Sequence, residues 1–105
     1  MPKESYDQGR ILKYLRTRGG YWVKYHASQY TPEGVPDILG CYKNFFVAFE
    51  CKNRNIKNAY KALADAQITN AQDILSNGGL AFTVQTVADV TKILANLDDI
   101  IAREG

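Results

Sequence analysis

The sequence predicts an α/β fold in which helices flank a mixed four-stranded sheet, in the order αβββαβα. Three observations carry that reading. Apolar residues recur at helical spacing in three separate stretches, near the start, past the middle and at the end of the chain. Three successive short stretches rich in aromatic and β-branched residues lie between Tyr21 and Lys52. A fourth such stretch, from Leu80, follows a helix rather than a tight turn, and three successive strands followed by a helical crossover suggest a mixed sheet.

The first helix is expected over Glu4–Arg18, where Ile11, Leu12 and Leu15 share a face with Tyr14 beside them, and Gly19-Gly20 end it. Tyr21–His26 reads as a strand, and Ser28–Pro36, polar with two prolines and a glycine, as a loop. Asp37–Tyr42 and Phe45–Lys52 are the next strands, with Lys43-Asn44 as a short hairpin turn. Asn53–Asn58 is polar and basic. A helix is then expected over Asn58–Asn77, with Leu63, Ala66, Ala71, Ile74 and Leu75 as core candidates, ended by Asn77-Gly78-Gly79. Leu80–Gln85 is the last strand and Val87–Leu97 the last helix, with Asp98–Glu104 as a helix end or frayed terminus.

A chain of 105 residues is expected to form one domain, residues 1–105, with no room for a second core. No apolar run approaches the roughly 18 residues that span a bilayer, and Met1-Pro2-Lys3-Glu4 lacks the apolar stretch of a signal peptide. The two cysteines, Cys41 and Cys51, form no CxxC pair and read as reduced, buried thiols of a cytoplasmic protein. The net charge of +2 is unevenly spread: residues 1–62 hold eleven Lys and Arg against five Asp and Glu, residues 63–105 two against six. The total is too small for binding by bulk charge, so any nucleic-acid contact is expected to be local and shaped.

The chemistry concentrates in Gly34-Val35-Pro36-Asp37 and Phe49-Glu50-Cys51-Lys52. Strand residues two apart share a face, so Glu50 and Lys52 point one way and Phe49 and Cys51 the other. The run Phe45-Phe46-Val47-Ala48-Phe49 is apolar on both faces and reads as a buried central strand. A carboxylate and an ammonium at its end cost desolvation energy unless they pair or bind a metal. A hairpin would bring Asp37, which opens the neighbouring strand, beside Glu50. Two adjacent carboxylates repel, and a divalent cation removes that conflict; Mg²⁺ favours one or two carboxylates with retained waters and phosphate oxygens. A nearby lysine can orient or deprotonate an attacking water, or neutralise charge on a pentavalent phosphorus transition state. Pro36 fixes the backbone before Asp37, and Gly34 is expected to let a substrate backbone approach closely. The plainer reading is a buried Glu50–Lys52 ion pair with Asp37 as a turn residue.

With these residues in place the sequence resembles a stand-alone VRR-NUC domain, a branch of the PD-(D/E)xK nuclease superfamily found in phages and bacteria. The resemblance runs through Glu4 ahead of Ile11-Leu12, Gly34-Val35-Pro36-Asp37-Ile38, Glu50-Cys51-Lys52, Leu63-Ala64-Asp65-Ala66-Gln67, Gly78-Gly79 and Val87-Ala88-Asp89-Val90, about residues 4–94. It implies a restriction-endonuclease-like core and a Mg²⁺- or Mn²⁺-dependent endonuclease. Asp37 and Glu50 would hold the metal with the backbone carbonyl of Cys51, Lys52 would be the catalytic lysine, Gln67 would position substrate or water, and Glu4 would be an accessory acid near the metal. Gln72 competes with Gln67, and the distance to Gly78 favours Gln67. Stand-alone members are similar to Holliday-junction resolvases acting as homodimers, which implies branched DNA as partner and the bacterial or phage-infected host cytoplasm as location.

Arg54, Lys57 and Lys61 follow the catalytic strand and could grip phosphates beside the cut, or be ordinary solvated charges. Arg10, Lys13, Arg16 and Arg18 fall mostly off the apolar face of the first helix. His26 reads as a surface residue, and Tyr21, Trp22 and Tyr25 as core or interface aromatics rather than base-stacking platforms. Two rival functions stay open: a non-catalytic nucleic-acid-binding module of the same fold, and the nuclease subunit of a larger phage or restriction assembly.

Overall fold

The computed structural model describes residues 3–104, and residues 3–6 by their backbone alone. The elements are α1 (Lys3–Thr17), β1 (Tyr21–Lys24), β2 (Ile38–Tyr42), β3 (Phe45–Cys51), α2 (Asp65–Ser76), β4 (Leu80–Val84) and α3 (Val87–Glu104). That is the expected αβββαβα order, in a four-stranded mixed sheet flanked by helices. The strands lie in sequence order, β1 and β2 antiparallel, β2 and β3 antiparallel, β3 and β4 parallel.

Strand alternation divides the sheet into two faces. Trp22, Ile38, Tyr42, Val47, Phe49, Cys51 and Val84 are buried in one cluster with Ile11 and Leu15 of α1 and Val90, Leu94 and Leu97 of α3. Gly40 lies where the Trp22 ring crosses β2: a methyl group there would collide with that ring and with the carbonyl of Tyr21. The β2–β3 hairpin closes through Lys43 (φ 47°) and Asn44 (φ 76°), both left-handed as a two-residue type I′ turn requires. β3 is interior as expected, with Val47, Ala48 and Phe49 buried, but Phe46 is 41% exposed, so the strand is not covered evenly on both faces.

Three expectations need correction. The stretch from Asn58 to Ala64 is not helical: the Asn58 side-chain oxygen accepts the Lys61 N–H at 3.2 Å, and Ala62 and Leu63 close turns on Ala59 and Tyr60. Asparagine offers the backbone this alternative to a helix, and α2 begins only at Asp65. None of Leu63, Ala66, Ala71, Ile74 and Leu75 is buried, because α2 covers the sheet loosely and leaves a cavity of about 190 Å³ beneath it. Cys41 is exposed and only Cys51 is buried, since Cys41 alternates with Gly40 and Tyr42 onto the face away from α1 and α3; neither forms a disulfide among the described residues.

Of the two readings of Asp98–Glu104, the helix end holds: the segment continues α3 past the expected boundary at Leu97. Leu97 is buried, and Asp98 accepts from Tyr42 Oη and Lys43 Nζ at 2.7 Å each and from Arg18 Nη2 at 3.0 Å. This carboxylate joins the end of α1, the hairpin and α3. Lys43 first, then the Tyr42 hydroxyl, hold its pKa below the ordinary value. A depressed folded pKa contributes stability above the unfolded value, near 3.9, which is lost as pH falls through the folded one. The stability gap between wild type and Asp98→Asn, measured by urea unfolding, is therefore expected to be open at pH 7 and to close below about pH 4. Among the described residues no helix is long and apolar enough to cross a membrane.

Candidate active site

Asp37 stands one residue before β2, and Glu50 is the penultimate residue of β3. Ile38 pairs with Phe49, so continuing the register by one sets Asp37 across from Glu50. On one side the Tyr25 N–H donates to the Asp37 carbonyl at 2.8 Å, which extends the β1–β2 ladder; on the other, Glu50 pairs with Thr83. A row of four residues, Tyr25, Asp37, Glu50 and Thr83, thus crosses the sheet on the face away from α1 and α3. Glu50 is 7% exposed. The Asp37 carboxylate is fixed by Cys51, whose N–H donates to Oδ2 at 2.8 Å, and Pro36 behind it is buried.

Lys52 leaves β3 with its N–H on the Val84 carbonyl, so its direction is still set by the sheet. Its Nζ donates to Gln67 Oε1 at 3.0 Å. The same Gln67 oxygen accepts the Ala64 N–H at 2.9 Å, a reach back to the helix N-cap that satisfies one orphan donor of the first turn. Gln67 therefore ties the lysine to the start of α2, which sharpens its expected role. Gln72 only lines the cavity under α2, alongside Glu50 and Gln67.

Gly34 meets a structural requirement of the fold. Its φ is +79°, and a Cβ there would overlap the Ala66 carbonyl group and approach Gln67 N to 2.7 Å. The close neighbour within the chain is the first turn of α2, so Gly34 seats the helix that carries Gln67. Gly34→Ala would add left-handed backbone strain to a clash with backbone, and is expected to cost about 3 kcal/mol in urea unfolding.

Arg54 has a partner within the fold. Its guanidinium donates through Nε to Asp7 Oδ2 at 3.1 Å and pairs through Nη2 with Asp7 Oδ1. Asp7 is 3% exposed on α1, so this fork holds a buried carboxylate and fastens α1 to the segment after β3, while the Arg54 side chain itself stays 42% exposed. Lys57 and Lys61 are exposed, as phosphate contacts would need to be. Glu4 lies in the first turn of α1, and its side chain falls outside the described residues.

Sequence reasoning missed Thr83, Gln85 and Asp7, and placed Tyr25 only as a core or interface aromatic. Gln85 Nε2 donates to the carbonyls of Asn53 at 3.0 Å and Ile56 at 2.7 Å, and so pins the loop after Lys52 to the end of β4. The Tyr25 hydroxyl is enclosed without a hydrogen-bond partner among the described residues. Thr83 could have been found from strand parity once β4 was paired with β3; the other contacts join distant segments and leave no local signal.

Two carboxylates facing each other at a strand end offer hard oxygen donors, which fits a Mg²⁺-type cation that keeps part of its water shell. Among the described residues no group of three or more His, Cys, Asp or Glu side chains gathers as a fuller ligand cage.

A family model described as archaeal Holliday junction resolvase (Hjc) matches residues 5–70, well over half of the chain and a span that includes Asp37, Glu50, Lys52 and Gln67. The chain belongs to the Hjc family. Two solved structures share the fold of this Hjc-family chain. One titled "VRR_NUC domain" aligns with a TM-score of 0.68 and 21% identity over 90% of this chain and 97% of that one. Another, "VRR_NUC domain protein", aligns with a TM-score of 0.69 and 13% identity over 89% and 85%. A comparison with curated proteins gave no match. The restriction-endonuclease-like architecture thus follows from the fold, and a nuclease-type function from the family.

Proposed function

We propose that this chain is a divalent-metal-dependent endonuclease that cuts branched DNA at four-way junctions, as a homodimer in the cytoplasm. The observation that carries the reading is the placement of Asp37 across from Glu50, with Lys52 next along and held by Gln67. Asp37, Glu50 and the Cys51 carbonyl would hold Mg²⁺ or Mn²⁺. When bound, such a cation supplies Lewis acidity toward a phosphoryl oxygen and acidifies water.

The protein's own groups do the rest. The Cys51 N–H keeps one Asp37 oxygen turned inward, which leaves Oδ1 for the metal side. The Lys52 ammonium, aimed by Gln67, sets a positive charge where the phosphorane gains negative charge. Lys57 and Lys61 hold flanking phosphates, with Glu4 as an accessory acid.

A junction needs two opposed cuts, and two sites related by a twofold axis supply them. The test is cleavage of labelled four-way junction, flap, linear duplex and single strand with Mg²⁺ or Mn²⁺. Paired symmetric nicks in the junction are expected. Cutting only flaps or duplex would reject the junction while keeping the active site, and no cutting of any substrate would favour the non-catalytic module or the subunit that needs a partner.

A further inference from the structure

The folded protein separates its basic side chains into two groups. Arg18 and Lys43 are engaged by Asp98, Arg54 by Asp7, Lys52 by Gln67, and Arg16 by the Trp22 carbonyl. Lys57 and Lys92 make no ion pair or side-chain hydrogen bond among the described residues, both are exposed, and both line one groove of about 390 Å³. Thr83, the residue paired with Glu50, lies in the same lining, as do Gln85 and Asn58. The groove therefore leads from the candidate active site, past the end of β4, to the first turns of α3.

Its two sides are held in place. Gln85 fixes the loop of Lys57 through the carbonyls of Asn53 and Ile56, so little loop entropy remains to be lost on binding. Lys92 lies three residues after Asp89 on the same side of α3. Asp89 is the one acidic residue lining the groove, and its Oδ2 accepts the N–H groups of Gln85 at 2.8 Å and Thr86 at 3.0 Å. That carboxylate is set against the positive end of the helix, which leaves the two ammonium groups to dominate the groove. Lys92 is also one of only two basic residues in the acidic second half of the chain.

We infer that this groove is a track that carries the DNA backbone onward from the flanking phosphate at Lys57 to Lys92, along a strand leading away from the cut, so that α3 is part of the DNA-binding surface. The inference rests on the proposed nuclease reading. It is tested without chemistry, by junction binding of a Glu50→Gln parent without divalent metal across a range of salt concentrations, with Lys57→Gln, Lys92→Gln and both added. Each replacement is expected to reduce the slope of log affinity against log salt by about 0.9, and the pair by about 1.8, which is roughly eightfold weaker binding per lysine near 0.1 M salt. Lys13→Gln, on an exposed position of α1, should leave the slope unchanged.

A Lys92→Gln slope equal to that of the parent overturns the track, even if the wild type cuts junctions. Reduced slopes in a protein that cuts no DNA would keep the track and favour the non-catalytic module or the subunit that needs a partner. A parent that does not bind DNA overturns both.

Discussion

Glu50→Gln is expected to lower single-turnover cleavage by on the order of a thousandfold or more, with the fold unchanged. Charge stabilisation through a bound cation is worth several kcal/mol in the transition state, and each 1.36 kcal/mol is tenfold in rate. The amide has the shape of the carboxylate but one charge fewer. At a position only 7% exposed that loss does not harm folding, because a neutral group is easier to bury. Equal thermal melting and equal junction binding, alongside the lost rate, separate a chemical role from a structural one. Under the plainer alternative, a Glu50–Lys52 ion pair, the variant would melt earlier. A variant cutting within tenfold of wild type would remove Glu50 from the active site.

Lys52→Met is expected to cost about a hundredfold to a thousandfold in the same assay, within the usual range for a positioned acid, base or charge. Lys52 Nζ donates to Gln67 Oε1, which fixes where the side chain ends, and the role proposed for it there is electrostatic. Lys52→Arg keeps the charge and cannot serve as a base, so it should recover a substantial part of the rate. If Lys52→Arg were as slow as Lys52→Met, the lysine would be abstracting a proton instead, and the electrostatic role assigned to it would be wrong.

The sequence was most informative where local rules suffice. Alternation along Phe45–Lys52 put Glu50 and Lys52 on one face, and Lys43-Asn44 gave the hairpin that fixes Asp37 opposite Glu50. Periodicity in the first helix identified Ile11 and Leu15 as core. It misled in the second, where alanines and leucines at helical spacing continue through Asn58–Ala64 although the Asn58 side chain turns the backbone there. The same pattern suggested buried residues on α2, but burial depends on what lies opposite, and that surface is open within one copy.

Gly34 and Arg54 show the same limit from the functional side. Both sit beside the expected site in sequence, and both are explained by partners far along the chain, the first turn of α2 and Asp7 of α1. A glycine tolerating close approach and an arginine near a catalytic strand are equally readable as ligand contacts until the fold supplies the neighbour. Gln85 is the converse: nothing in its surroundings in sequence marks it, yet it organises the loop that presents Lys57.

The central claim is that Asp37 and Glu50 together form one divalent-cation site. Its most direct test is Mn²⁺ binding, followed by the electron paramagnetic resonance signal of the free ion, in wild type, Asp37→Asn and Glu50→Gln. The account predicts a single site in the wild type that is weakened about tenfold or more in each variant. Mn²⁺ affinity unchanged in both variants would contradict it.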